Sequence, residues 1–273
     1  METQNTERRR WTEEETTLAL FLYFQLPFGK LHAGNPEIRE LAAAIGRTNS
    51  SVAMKLCNFA SLDPVITDSG RGGLDGASKL DKLMYAQFTH SWSRLVDAGE
   101  DLWADRVLKS ESVSILPIVQ LERRPYNYEP YQGSVSEIEA VTKQRIGQGF
   151  FRRAVMANYE EACCITGIAE PKLLVASHIK PWALDEENRH NPSNGLLLSA
   201  TMDKAFDQGL ITVTTSGKVK VAERLLKHTS PQTRSFFAAY DGAEVQSARR
   251  FCADSELLGW HNPESFEDRQ LFL

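Results

Sequence analysis

The chain has 273 residues, 42% of them hydrophobic and 25% charged, with a formal net charge of −5. That composition belongs to a folded globular protein and excludes a disordered chain, and no apolar run reaches the length that spans a bilayer. The start, "METQNTERRRW", carries basic residues without a signal-peptide apolar core behind them, so a cytoplasmic location with no membrane partner is expected.

The first segment reads as helices. "WTEEETTLALFLYFQL" opens with Thr12 as N-cap and Glu15 three residues on, a capping box with acids in the first turn, and it stops near Pro27 and Gly29. In "NPEIRELAAAIGRTNSSVAMKLCNFA" (35–60), Asn35 caps, Pro36 suits the first turn, and Ile38, Leu41 and Ile45 make one apolar stripe. Gly46 then breaks the helix, Thr48 caps the next, and Val52, Leu56 and Phe59 point inward, which is a helix-turn-helix pattern. Asn49, Ser50, Ala53 and Lys55 are expected on its outer face, with Arg47 at the turn, as candidate DNA-recognition residues. The same pair of helices also occurs in proteins that never touch DNA.

"TDSGRGGLDGAS" (67–78) is a glycine-rich loop whose Arg71 is either a phosphate contact or an ordinary solvated arginine. A helix is predicted over 78–97, burying Leu80, Leu83, Met84, Phe88 and Leu95. Periodicity is lost after it, and proline, tyrosine and serine accumulate. The predicted organisation is therefore a helical domain expected to recognise DNA at 1–108, a linker at 109–136 and a second domain at 137–273. The second domain begins with a helix at 137–159. Short strands follow at 163–168, 173–179 and 195–199, then a helix at 200–208 and a hairpin of "LITVT" and "KVKVA" through Ser216 and Gly217. The tail from 223 reads as helical, packing with Phe236, Phe237, Trp260 and Phe266. The fold class expected is α+β.

Acidic net charge alone speaks against a polyanion partner, but placement matters more than the average. Lys143, Arg145, Arg152 and Arg153 share a stretch without acids, and Arg8 to Arg10 and Arg123–Arg124 form two more basic clusters. Such patches are compatible with nucleic acid. The four cysteines, Cys57, Cys163, Cys164 and Cys252, make no C-x-x-C pair, so reduced, packed thiols are expected and not a disulfide framework or a zinc ribbon.

The chemistry concentrates around "VASHIKPW" (175–182). His178 ends an apolar run, where it is either a core histidine with both nitrogens satisfied or a general base. Downstream lie Asn194, then Asp203 and Asp207 four residues apart on one helix face. Two carboxylates so close repel unless a cation lies between them, and oxygen donors favour Mg²⁺, Mn²⁺ or Ca²⁺. The alternative is that Asp207 caps a turn before Gly209 while Asp203 faces solvent.

Together, "CCITG", "ASHIKPW", "NPSNGLLLS" and "KAFDQGLITV", in this order and spacing, resemble the HNH nuclease motif, a ββα-metal finger. The likeness is to the branch with Ala or Ser before the histidine, and it covers roughly residues 142–214. The segment with "LPFGKLH" and "GRTNSSVAMKLCNFASLDP" looks like a domain often fused to such nucleases. The resemblance implies that His178 is the general base and that one divalent cation per site, Mg²⁺ or Mn²⁺, is held by Asp203 and Asp207, with His178 as a further candidate ligand. It makes Asn194 a brace for the loop carrying the base, and it implies products with a 5′ phosphate and a 3′ hydroxyl.

There are departures from the family pattern. Ser177 stands where many relatives have a metal-binding Asp or His, and Asp203 replaces the last motif histidine. The zinc-binding cysteine pairs of several branches are missing, so no structural zinc is expected. His190 is read as a loop residue. Arg145, Arg152, Arg153, Lys180 and Arg189 are the expected phosphate contacts. The expected function is cleavage of double-stranded DNA by a homodimer acting in restriction or phage defence, with modified DNA as a candidate target. The alternatives are an inactive DNA-binding regulator and an RNA-directed nuclease.

Overall fold

The computed structural model describes residues 9–68, 70, 73–103, 105–106 and 135–267, with the side chains of 135–146 and 264 outside that description. The fold is α+β, a helical N-terminal part followed by a part that combines short strands with helices. In chain order the helical part holds α1 (Glu13–Gln25), α2 (Pro36–Ala44), α3 (Asn49–Ala60), α4 (Pro64–Asp68), α5 (Lys79–Thr89) and α6 (Trp92–Trp103).

Helix α1 is buried along its whole length from Glu15 to Gln25, which is why its sequence is apolar nearly all round and not amphipathic. The Thr12–Glu15 capping box forms as read, as do the Asn35 and Thr48 caps. Between α2 and α3, Gly46 takes φ of 63°, a left-handed value that ends α2 and lets the chain turn back. The helix predicted over 78–97 is two helices. Thr89 Oγ1 and His90 Nδ1 bond back to the carbonyls of Tyr85 and Ala86, ending α5, and the chain restarts at Trp92, which enters the core. Leu83, expected inside, is 60% exposed.

The outer face of α3 also differs from expectation. Ser50 is exposed and Asn49 half-buried, but Ala53 is buried and Lys55 is only 4% exposed, with Nζ 2.6 Å from Asp81. Arg47 is likewise turned inward, bonding Glu15 at 2.7 Å and covering the Trp11 ring at 4.2 Å. Both cations satisfy buried acids, because a buried carboxylate without a partner is costly. Arg71, Arg8, Arg123 and Arg124 lie outside the described residues, as does nearly all of the 109–136 segment.

The second part comprises α7 (Val135–Asn158), β1 (Leu174–His178), β2 (Gly195–Ser199), α8 (Ala200–Asp207), β3 (Ile211–Val213), β4 (Val219–Val221), α9 (Glu223–Lys227), α10 (Pro231–Ala238) and α11 (Ser255–Ser265). β1 pairs antiparallel with β2, and β3 with β4. The strand expected at 163–168 is a tight turn instead: Gly167 has φ of 72°, the Gly167 N–H donates to Cys163 O, and the Cys163 N–H donates to Ile168 O. Cys164 reaches the hairpin through its N–H to Leu197 O, 2.8 Å, and shares a core cluster with Leu196, Leu197 and Leu198. In the tail Phe237 and Phe266 are buried as expected, whereas Phe236 is 41% exposed.

The two parts share structure. Helix α7 gives Phe150 and Ala154 to the helical core, and Phe151 and Val155 to the core around the strands. Its partner in joining them is the 249–251 stretch. Asn158 grips the backbone of Arg250 and Phe251, Phe251 packs edge-on to Trp92, and Arg250 bonds the Tyr23 carbonyl at 2.8 Å.

Candidate active site

His178 closes β1 opposite Gly195 of β2. Gly195 is required there, since a Cβ would overlap Val155 and Phe151 of α7. Successive strand residues point to opposite faces of the hairpin. His178 faces α7, its imidazole stacked on the Phe151 ring at 3.7 Å, with the Trp182 ring edge-on at 5.6 Å. Its Nε2 lies 3.0 Å from the Arg189 carbonyl. A carbonyl only accepts, so Nε2 carries the hydrogen and Nδ1 the basic lone pair. No protein partner for Nδ1 is found among the described residues. Burial lowers the imidazole pKa, partly countered by the Arg189 carbonyl, and so favours the neutral form.

The loop from β1 to β2 is held by Asn194, which is fully buried. Its Oδ1 accepts from the Lys180 N–H at 2.8 Å, and its Nδ2 donates to the carbonyls of Lys180 and Asn188, each at 3.1 Å. Both ends of the loop are thereby tied to one side chain.

Ser177 points to the other face, towards α8. Its Oγ is buried without a partner of hydrogen-bond geometry, yet it lies near enough to Asp203 to favour the ionised carboxylate. Asp203 is half-buried and Asp207 exposed. Burial raises both carboxyls, and the charge of Asp207 raises Asp203 further. Two carboxylates one turn apart, with the Ser177 hydroxyl beside Asp203, are oxygen donors of the kind a hard divalent cation takes. His178 is not gathered with them: no group of three or more His, Cys, Asp or Glu side chains of ligating geometry occurs among the described residues. The reason is the strand's alternation, which turns Ser177 and His178 to different faces.

The arginines and lysines expected on phosphate are engaged inside the chain. Arg152 donates to the carbonyls of Leu174 and Pro171, Arg153 pairs with Glu37, and Lys180 lies 3.1 Å from Asp185. Arg189 donates to the Trp182 carbonyl and to Glu186. The Arg145 side chain lies outside the described residues. Lys204, exposed on α8 between the two aspartates, is a further cation beside the acids and lowers both carboxyls in part.

The hairpin, its loop and the following helix coincide with the region identified by comparison: residues 163–214 match the HNH endonuclease family. This stretch is an HNH endonuclease domain. A search of curated proteins finds no match to the chain. The domain supports a nuclease of that family acting on phosphodiester bonds, with nucleic acid as substrate. Its 52-residue span starts at the Cys163 turn, so α7, whose Phe151 forms the floor under His178, stands outside the match. The sequence signal for that floor was the aromatic pair in "GQGFF", but only the packing distinguishes Phe151 from its neighbour Phe150.

Proposed function

We propose that this chain is a divalent-cation-dependent endonuclease for double-stranded DNA with His178 as its general base. The observation that carries the reading is the placement of that imidazole: half-buried, stacked on Phe151 and set with Nε2 against the Arg189 carbonyl, which leaves the lone pair of the neutral ring on Nδ1. Nδ1 takes a proton from the water that attacks phosphorus, and Phe151 and Trp182 shield the ring from bulk water. Asn194 holds the loop whose carbonyl orients the base, without touching the reacting atoms. Asp203 and Asp207 would hold the cation, Mg²⁺ or Mn²⁺, which when bound would offset negative charge growing on the phosphate. Hydrolysis leaves a 5′ phosphate and a 3′ hydroxyl.

The test is nicking of supercoiled plasmid with Mg²⁺ or Mn²⁺. His178→Ala is expected to lower the rate by about 10²- to 10⁴-fold, the usual weight of a general base, while DNA affinity is retained. Undiminished nicking by that variant removes the assignment.

Phosphate contacts carry little sequence information, so we assign selectivity to residues 1–108, where Asn49 and Ser50 remain the candidate readers. A restriction or phage-defence role, with modified DNA as target, follows from joining a reader to a nuclease. Equal digestion of modified and unmodified DNA, by wild type and by the Asn49→Ala, Ser50→Ala double variant alike, would sink that role. One finger cuts one strand, so cleavage of both points to a homodimer, measurable by sedimentation of the protein on DNA.

A second reading, an inactive DNA-binding regulator, is favoured by one fact: Arg152, Arg153, Lys180 and Arg189 are all engaged within the chain. It predicts DNA binding with no nicking in any metal.

A further inference from the structure

The carbonyl that orients His178 belongs to Arg189, and the next side chain, His190, is wedged between three elements. From α6, Ser93 Oγ lies 3.2 Å from His190 Nδ1. From α7, the backbone at Gly147 comes so close that a Cβ there would overlap His190 Nε2. From the loop itself, Trp182 meets the His190 ring edge-on at 5.0 Å, and the same Trp182 flanks His178. The two imidazoles are close enough that a charge on His178 disfavours one on His190.

A ring hydrogen-bonded at one end and pressed against helix backbone at the other has little room to move. Its own main chain holds the carbonyl that selects the tautomer of the base. The loop is otherwise braced from within, by Asn194, Asp185 and Arg189. Ser93 differs from those braces because it comes from the helical part, 97 residues earlier in the chain.

We propose that His190, clamped by Ser93 and Gly147, is a positioning residue for His178, and that through it the packing of α6 and α7 sets whether the base is correctly aimed. The proposal rests on the reading of His178 as general base. The HNH match assigns no role to His190, Ser93 or Gly147. Two of the three residues lie outside the matched stretch, so the nuclease domain takes part of its alignment from the rest of the chain.

The experiment uses the full chain in three variants: Gly147→Ala, which drives a methyl group against the clamped ring; Ser93→Ala, which removes the hydroxyl; and Ser93→Thr, which keeps it. Nicking with Mn²⁺ is measured as separate kcat and KM, and the imidazole tautomer of His178 is read by nitrogen NMR. Gly147→Ala is expected to lower kcat by about tenfold to a hundredfold, the scale of a small misplacement of a catalytic group, with KM for plasmid little changed. It should also mix the Nε2–H and Nδ1–H tautomers of His178. Ser93→Ala should do the same more weakly, and Ser93→Thr should behave as wild type.

If Ser93→Ala and Gly147→Ala leave both kcat and the His178 signals unchanged, the proposal is overturned. Should Gly147→Ala fail to fold, Ser93→Ala set against Ser93→Thr decides alone. A wild type that does not nick, or a His178→Ala variant that nicks fully, removes the catalytic reading instead. The NMR comparison then judges the clamp, and an unaltered tautomer in Ser93→Ala overturns it.

Discussion

At the scale of single residues, burial sets the charge state of three histidines, and the consequences separate by pH. His178 has its pKa lowered, chiefly by burial, and a base works only unprotonated. The acid limb of kcat/KM against pH is therefore expected below the ordinary histidine value of about 6.5, with activity already full at neutrality. A limb above pH 7 in a nicking assay would contradict it. His190 and His261 are pushed down to about 4, mainly by burial, with His261 stacked on Phe206 and bonded to Thr212. Their folded values lie below their unfolded ones, so the unfolded state binds more protons as pH falls. Their contribution to stability is complete above the unfolded value and is lost downward from there. For His261, only 3% exposed, the loss by pH 5 is on the order of 2 kcal/mol, to be read from denaturant midpoints at pH 7 and pH 5. The raised carboxyls of Asp203 and Asp207 act in the opposite sense, nearer their ordinary values below pH 5.

At the scale of elements, the hairpin and α8 do different work. β1 carries His178 and β2 the glycine that admits α7, and the loop between them supplies the Arg189 carbonyl to the imidazole, whereas α8 carries the acids on one face. Asp203→Asn removes the more buried of the two charges without changing shape. It is expected to raise the Mn²⁺ concentration for half-maximal nicking by about tenfold or more, since a hard cation loses a charged oxygen donor. An unchanged Mn²⁺ titration would exclude Asp203 from the site. The helices of the N-terminal part behave otherwise. α3 has the caps and inward stripe of a recognition helix, yet Arg47 and Lys55 are turned into buried pairs, so it presents Ser50 and exposed Met54 without either cation.

At the scale of the whole molecule, the nuclease domain and the helical part are held together across α7 and the 249–251 stretch. Arg250 is almost fully buried between Tyr23 and Asp63, far from its own part of the sequence. Arg250→Ala leaves Asp63 buried with its cation gone, a loss of about 3–5 kcal/mol by analogy with other broken buried pairs, visible as a lowered unfolding midpoint of both parts together. Separate transitions for the two parts in wild type would contradict that coupling. Removing residues 1–108 would likewise uncover Phe150 and Phe251, so point substitutions test the reader more cleanly than truncation.

Local chemistry determined much of this protein from sequence alone: the caps at Thr12, Asn35 and Thr48, the turn at Gly46, the strands β1 and β2, the β3–β4 hairpin through Ser216 and Gly217, and the likeness of the stretch around them to the HNH family. Each depends on residues near in the chain or on a spacing that a helix or strand translates directly. Tertiary structure decided which charges are free. Arg47, Lys55 and Arg153 read as candidate DNA contacts until the fold brings Glu15, Asp81 and Glu37 to them from distances of 26 to 116 residues. It also decided that His190, a loop residue by sequence, is gripped by two distant helices. A side chain's partner across the core is set by packing, and packing has no period that a sequence can display.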